Sequence, residues 1–239
     1  MSDLLELVLD AHGGLERWRQ VRKQTVHAHI GGELWGRRGQ EGILNDAHIE
    51  LNPHAQHLVF HGFTAPDRRG VFEVSRNAIE TESGEVIEER TDPVAAFAGQ
   101  TTTSRWDDLN VVYTAGHGLW NYLTAPFVLT MPGVHTEEIE PWEEAGEEWR
   151  RLKAVFPEGF VTHAPEQVYS FNSAGLLRRH DYHAKVGGVA ASANYAADHT
   201  QFGVLIIATR RGIVLSDPDG RLRREPVFMT IDVLDVQVD

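Results

Sequence analysis

The chain has 239 residues, 41% hydrophobic and 24% charged, which is ordinary globular usage and excludes a wholly disordered protein. It contains no cysteine, which removes a disulfide framework, a thiolate zinc site, an iron–sulfur cluster and a cysteine nucleophile together. Thirty-five acidic residues against 22 basic ones give a net charge of −13, the opposite of the basic stripe that a nucleic-acid partner requires.

Leu4, Leu5, Val8 and Leu9 fall at helical spacing behind Ser2 and Asp3, both suited to cap a helix start, and Gly13-Gly14 ends the segment. Leu15, Trp18 and Val21 predict a second short helix over 14–22. The first residues are acidic where a secretory leader is basic, and Glu6 and Asp10 interrupt the apolar run. No stretch approaches the roughly 20 apolar residues that span a bilayer. A cytoplasmic protein without a membrane span is therefore expected.

At Thr25 the period changes to two. Val26, Ala28, Ile30, Gly32 and Leu34 alternate with polar residues, which predicts a strand with one buried face. After a turn over 36–42, Ile43, Ala47, Ile49 and Leu51 continue the pattern, and further strands are predicted over 57–63, 70–75, 78–82 and 85–90. Their short connections imply an antiparallel meander, not crossover helices. Asp92-Pro93 opens a short turn through Phe97. Ser104 to Asp107 fits a capping box for a helix over 106–124, carrying Leu109, Val112, Tyr113, Gly116, Trp120 and Leu123 on one face, and Pro126 stops it. Strands resume over 134–141, 149–156, 167–171, 176–186, 191–199, 204–215 and 227–238. The glutamates between Glu137 and Glu148 read as a solvated hairpin end, and the segments 172–175 and 217–220 read as turns. Between Val233 and Leu234 the apolar phase slips, as a bulge produces. No repeat, linker or composition shift divides the chain, so residues 1–239 form one domain.

The common nucleotide, zinc-protease, serine-hydrolase and calcium signatures are missing, and neither a cofactor nor a metal site is expected. The histidines invite closer reading. His54, His57 and His61 have helical spacing but lie in strand context. His27 and His29 share the face opposite Val26 and Ala28; they could edge a metal site with a neighbouring strand, and solvent exposure is the plainer expectation. His180 is expected to point inward with Leu176, Tyr182, Ala184 and Val186, where a histidine and a tyrosine could act as an acid–base pair or orient a polar ligand head. The arginine doublets at 37–38, 68–69, 178–179 and 210–211 each predict one solvated side chain and one turned to the other face, and an inward member of the last two would polarise a substrate beside His180.

Two short helices, a long antiparallel run and one aromatic helix in mid-chain form an unusual order. The segments AHGGLERW with VRKQTVHAHI, NVVYTAGHGLWNYLTAPFVL, WRRLKAVFP, EQVYSFNSAGLLRRHDYHAKVGG and ATRRGIVLSDPDGRL carry a resemblance that covers most of the chain. Together they resemble the outer-membrane lipoprotein carriers and receptors, the LolA/LolB-like group. The resemblance implies a mainly β (α+β) fold: a strongly curved antiparallel sheet of about nine to twelve strands, a half-open barrel with helices packed on its concave side. It also implies an apolar cavity for a lipophilic small molecule or lipid. Tyr113, Trp120, Phe127, His180, Tyr182, Ile206, Met229 and Ile231 are the cavity residues compatible with that fold. Enzymatic action on a hydrophobic molecule, with His180 as general acid or base and Tyr182 beside it, is the alternative. Without a leader a lipoprotein cargo is not expected, and the sequence leaves the oligomeric state open.

Overall fold

In the computed structural model, which describes residues 2–184, 191–216 and 221–239, the alternating segments join one antiparallel sheet. Strands β1 (Gln24–Gly31), β2 (Ala47–Asn52), β3 (His57–His61), β4 (Arg68–Glu73), β5 (Asn77–Thr81) and β6 (Val86–Arg90) form the predicted meander. A second meander follows: β7 (His135–Glu144), β8 (Glu147–Val155), β9 (Glu166–Phe171), β10 (Leu177–His183), β11 (Ala191–Phe202) and β12 (Leu205–Ser216), with the short β13 (Leu222–Arg223) beside β12. The last strand, β14 (Met229–Val238), joins the halves by pairing with β12 and β1. Among the described residues the sheet has 14 strands, more than the nine to twelve expected, because every extended segment enters it and β13 adds a two-residue piece. Strands β6 and β7 end it without pairing to each other, so the curved sheet stays open.

Two register shifts decide which side chains face inward. His27 lies opposite Asp235 and Ala28 opposite Val233, so Leu234 is the extra residue of the predicted bulge and is 57% exposed. On β10, Leu177 pairs with Phe171 while Arg179 pairs with Ser170. Arg178 is therefore the extra residue, and Leu177, not Leu176 as expected, enters the core with His180 and Tyr182.

The helices differ from expectation in their ends. Helix α1 (Asp3–Ala11) is capped by Ser2 as predicted, and α2 (Leu15–Trp18) is shorter than its segment. The predicted extension of β1 through Leu34 is instead α3 (Glu33–Arg38). Gly32, at φ 104°, makes that break, and a Cβ there would lie 2.6 Å from Met229 Cα. Helix α4 (Asp108–Thr124) starts from Asp107, not Ser104: the Asp107 side chain accepts from the Asn110 N–H and the Asn110 side chain accepts from the Asp107 N–H. The turn predicted at 217–220 and the inward position of Val186 lie outside the described residues.

Almost all of α4 is buried, because the sheet curls around it and β3, β4 and β5 take its face. Two glycines permit the close approach: a Cβ on Gly70 would meet Val112 Cγ2 at 2.7 Å and one on Gly116 would meet Phe72 Cβ at 2.5 Å. At its far end, Trp120 Nε1 donates to Asn52 O (2.8 Å) and Asn121 Nδ2 to Val161 O (3.2 Å). Among the described residues no helix is long and apolar enough to cross a membrane.

Candidate functional site

The helix does not fill the concavity completely. Thr114, Gly118 and Tyr122 follow one another on one face of α4, and opposite them stand Ile30, Tyr182 and Ile213 of β1, β10 and β12. The slot between has a volume of about 50 Å³. A drug-sized ligand occupies roughly 300 Å³ or more, so this space holds a few waters or a small group as it stands.

At the end nearer the start of α4 the slot is walled by Trp35 and Trp106, set edge to face at 6.4 Å. Arg38 reaches from α3 to donate to Thr101 O (2.6 Å) and Ser104 O (3.0 Å), and Gln40 Nε2 donates to Trp106 O (2.8 Å). Side-chain-to-backbone bonds thus tie α3 to the segment before α4.

The other end is polar. The His163 ring stacks on Tyr182 at 4.0 Å and faces Tyr122 at 5.2 Å, with His117 edge-on at 4.9 Å. The hydroxyls of Tyr122 and Tyr182 share a hydrogen bond of 2.5 Å. Behind them, on β12, Arg211 is 5% exposed; its Nη2 donates to Tyr122 O at 3.0 Å and its guanidinium lies 5.3 Å from the Tyr122 ring centre. His180 stacks on Tyr169 at 4.1 Å and donates from Nε2 to Gln167 Oε1 at 2.5 Å.

Burial sets the protonation of this cluster. It lowers His117 to about 4 and, with the neighbouring His117 and His180, holds His163 well below the ordinary histidine value. Burial and Arg211 do the same to His180. Tyr122 is pushed up to about 12 and Tyr182 further, while Arg211 falls to about 10. Near neutrality the cluster therefore presents neutral imidazoles and phenols around one cation.

Of the residues expected to line the cavity, Tyr182 and Met229 stand on its wall. His180 lies one layer behind, its Nε2 committed to Gln167. Tyr113 turns to Phe72 and Phe97, and Trp120 is anchored to Asn52. Phe127 stacks on Trp18 at 4.4 Å beside a separate groove of about 240 Å³. Ile231 is packed in the core, and Ile206 is half-buried, its N–H bonded to His12 O while Ile207 takes the core position. Sequence reasoning missed Tyr122, Thr114, His117, His163 and Trp35. The first three sit on a helix whose other polar faces are also buried, and that polar-on-apolar pattern was the available signal; His163 lies in an irregular segment without one.

Two surface expectations also resolve. His27 meets not His29 but His48, directly across on β2, with rings stacked at 4.5 Å and Asp46 at 2.7 Å from His27 Nε2. This group faces solvent, and the His27 bond, which holds the Asp46 carboxyl below its usual range, accounts for its geometry. The glutamate run is not wholly a solvated end. Glu144, 16% exposed at its side chain, accepts from Tyr195 Oη (2.6 Å) and Arg179 Nη1 (2.8 Å). In the 210–211 doublet, Arg210 is exposed and Arg211 buried, as predicted.

No protein-family model matches the sequence, and no curated protein matches it. Solved structures match over almost the whole chain. A DUF1329 family protein from Desulfovibrio piger has TM-score 0.54 and 11% identity, covering 99% of this chain and 92% of its own. A putative outer membrane lipoprotein-sorting protein domain from Vibrio parahaemolyticus has TM-score 0.54 and 7% identity, covering 98% and 92%. A LolA superfamily protein from Nitrosomonas europaea has TM-score 0.51 and 8% identity, covering 92% and 86%. At such identities the likeness concerns the fold alone. In fold, the chain is a LolA-like half-barrel: an open, curved antiparallel sheet wrapped around a central helix.

Proposed function

We propose that the chain binds a lipophilic small molecule or lipid between α4 and the concave face of the sheet. The observation that carries this reading is the slot itself, whose wall is apolar around Ile30, Leu34, Ile213, Phe228 and Met229 and changes to tyrosine and histidine at one end. Its orphan polar atoms point the same way: Trp35 Nε1, Thr114 Oγ1 and His163 Nε2 belong to wall residues and are buried without a hydrogen-bond partner among the described residues. Buried groups of this kind cost ~1–3 kcal/mol each when unsatisfied, a cost that a ligand with polar atoms removes. The lipoprotein-sorting description of one structural neighbour is in keeping with this use of the fold.

Admission of a ligand larger than the present 50 Å³ requires the wall to move. The α3 side is the part that moves in this reading, and the contacts that must give are the Arg38 and Gln40 side-chain bonds to residues 101–106 and the backbone bond from Trp106 N–H to Arg38 O (2.9 Å).

The test is a titration with the neutral fluorophore N-phenyl-1-naphthylamine, read by its emission. Saturable binding is expected for the native chain. In Gly118→Leu the added side chain occupies the slot, because a Cβ at Gly118 has only ordinary contact with His163 Cε1, at 3.4 Å. That variant should fold and bind about tenfold more weakly or worse, the equivalent of ~1.4 kcal/mol. Equal binding by both proteins would place the probe elsewhere and overturn the assignment.

A further inference from the structure

Among the described residues, the buried cation Arg211 has no carboxylate partner and its Nη1 no hydrogen-bond partner; the titratable side chains that feel its charge are Tyr122, Tyr169, Tyr182 and His180, with His12 and His199. Its one described bond, to Tyr122 O, satisfies a carbonyl in the last turn of α4, where a helix end also favours positive charge. The helix-end field by itself offsets at most about 2 kcal/mol. Removing a guanidinium from water costs several kcal/mol even after relaxation, and buried arginines are normally paired for that reason. A sheet that needed only to fill this position would do so with methionine or leucine.

We propose that Arg211 is the counter-charge for an anionic head group, and that the ligand of the slot is an amphiphile: an apolar chain ending in a single carboxylate. This rests on the reading of the slot as a lipophile site. The wall places the chemistry in the required order. Trp35 and Trp106 stand at the end near the start of α4; Thr114 and Tyr122 are eight residues apart, about 12 Å along a helix at ~1.5 Å per residue. At the Tyr122 end four groups can donate to an oxygen anion. The tyrosine pair shares one hydrogen bond, which leaves one of its two protons for a further acceptor, and the Asn194 amide and His163 Nε2, both without a hydrogen-bond partner among the described residues, stand beside them. Arg211 lies directly behind the Tyr122 ring and supplies the charge that these neutral donors lack. A carboxylate suits this arrangement: its two oxygens take the phenol and imidazole donors of the wall, while Arg211, one ring removed from the slot, supplies the compensating charge.

The experiment compares dodecanoate, dodecan-1-ol and acetate as competitors of N-phenyl-1-naphthylamine, in the native chain, Arg211→Met and Arg211→Lys. A hydrogen bond to a charged group is worth ~1.5–3 kcal/mol. Dodecanoate should therefore compete about ten- to a hundredfold better than the alcohol in the native chain, and acetate should not compete. Arg211→Met should abolish the difference between acid and alcohol, and Arg211→Lys should restore part of it. Equal competition by acid and alcohol in the native chain would overturn the anionic head group and leave the lipophile site standing. Competition by neither, with no saturable probe signal, would overturn both. Competition by acetate at the dodecanoate level would show a site for free small anions and overturn the amphiphile. Because the native comparison uses no variant, the proposal stays testable if Arg211→Met fails to fold.

Discussion

Acidification from pH 7 to pH 4 is expected to unfold this protein through its buried histidines. His12 and His117 are held at about 4, and His163 and His180 well below 6.5, in each case chiefly because burial disfavours the imidazolium. In the unfolded chain each takes up a proton near 6.5. Between that value and the folded one, the unfolded state binds more protons, so stability is fully present above about pH 6.5 and is lost as the pH falls. A shift from 6.5 to about 4 corresponds to about 3 kcal/mol for each of His12 and His117, at ~1.4 kcal/mol per unit. These two groups alone reach the lower end of the ~5–15 kcal/mol that holds a domain folded, and His163 and His180 act in the same direction. Carboxylates held low by arginine, Glu80 and Asp107 among them, add to the loss as they protonate further down. Urea midpoints measured at pH 7, 5.5 and 4.5 should fall steeply in that order. A midpoint constant to pH 4.5 would show that these rings are not buried neutral.

The second large effect is at Gly116. In a helix interior, alanine for glycine ordinarily stabilises by ~0.5–1 kcal/mol. Here the new Cβ would lie 2.5 Å from Phe72 Cβ and 2.6 Å from its Cγ, and these atoms sit too close to the β4 backbone to swing away. Helix and sheet must therefore separate, at a cost in the range of ~1–3 kcal/mol or above for overpacking. Gly116→Leu should destabilise by about 3 kcal/mol or more. Gly118→Ala, two residues on, makes only ordinary contacts, with His163 Cε1 at 3.4 Å and Tyr122 Cε2 at 3.8 Å, and should leave stability within about 1 kcal/mol of the native chain. Equal costs at the two positions, measured by urea unfolding, would contradict the packing of α4 on β4.

The sheet was most legible where only one face is buried, as in β1 and β2, whose side chains alternate between core and surface; β3, β4 and β5 bury consecutive residues. Even the bulge at Leu234 showed as a slip of apolar phase, since an extra residue moves every later side chain to the other face. The bulge at Arg178 did not show, because arginine, histidine and tyrosine give no clear apolar phase there. Helix α3 was hidden for a similar reason. Leu34 continues the parity of β1, and only the positive φ of Gly32 breaks the strand. At the site, His180 and Tyr182 were identifiable as inward residues, but the groups that meet Tyr182, namely Tyr122 of α4 and His163 of an irregular segment, are brought there by tertiary packing. Arg211 was legible as half of a doublet; that it lacks a carboxylate is a property of three strands and a helix meeting.

The central claim is that the half-barrel carries a lipophile against α4. Native mass spectrometry of the freshly purified protein, compared with its denatured mass, tests this most directly, with a second spectrum recorded after incubation with dodecanoate. A non-covalent excess of one small amphiphile per chain, present on purification or acquired from dodecanoate and lost in Gly118→Leu, is the predicted result. A bare chain mass in both spectra would contradict the account.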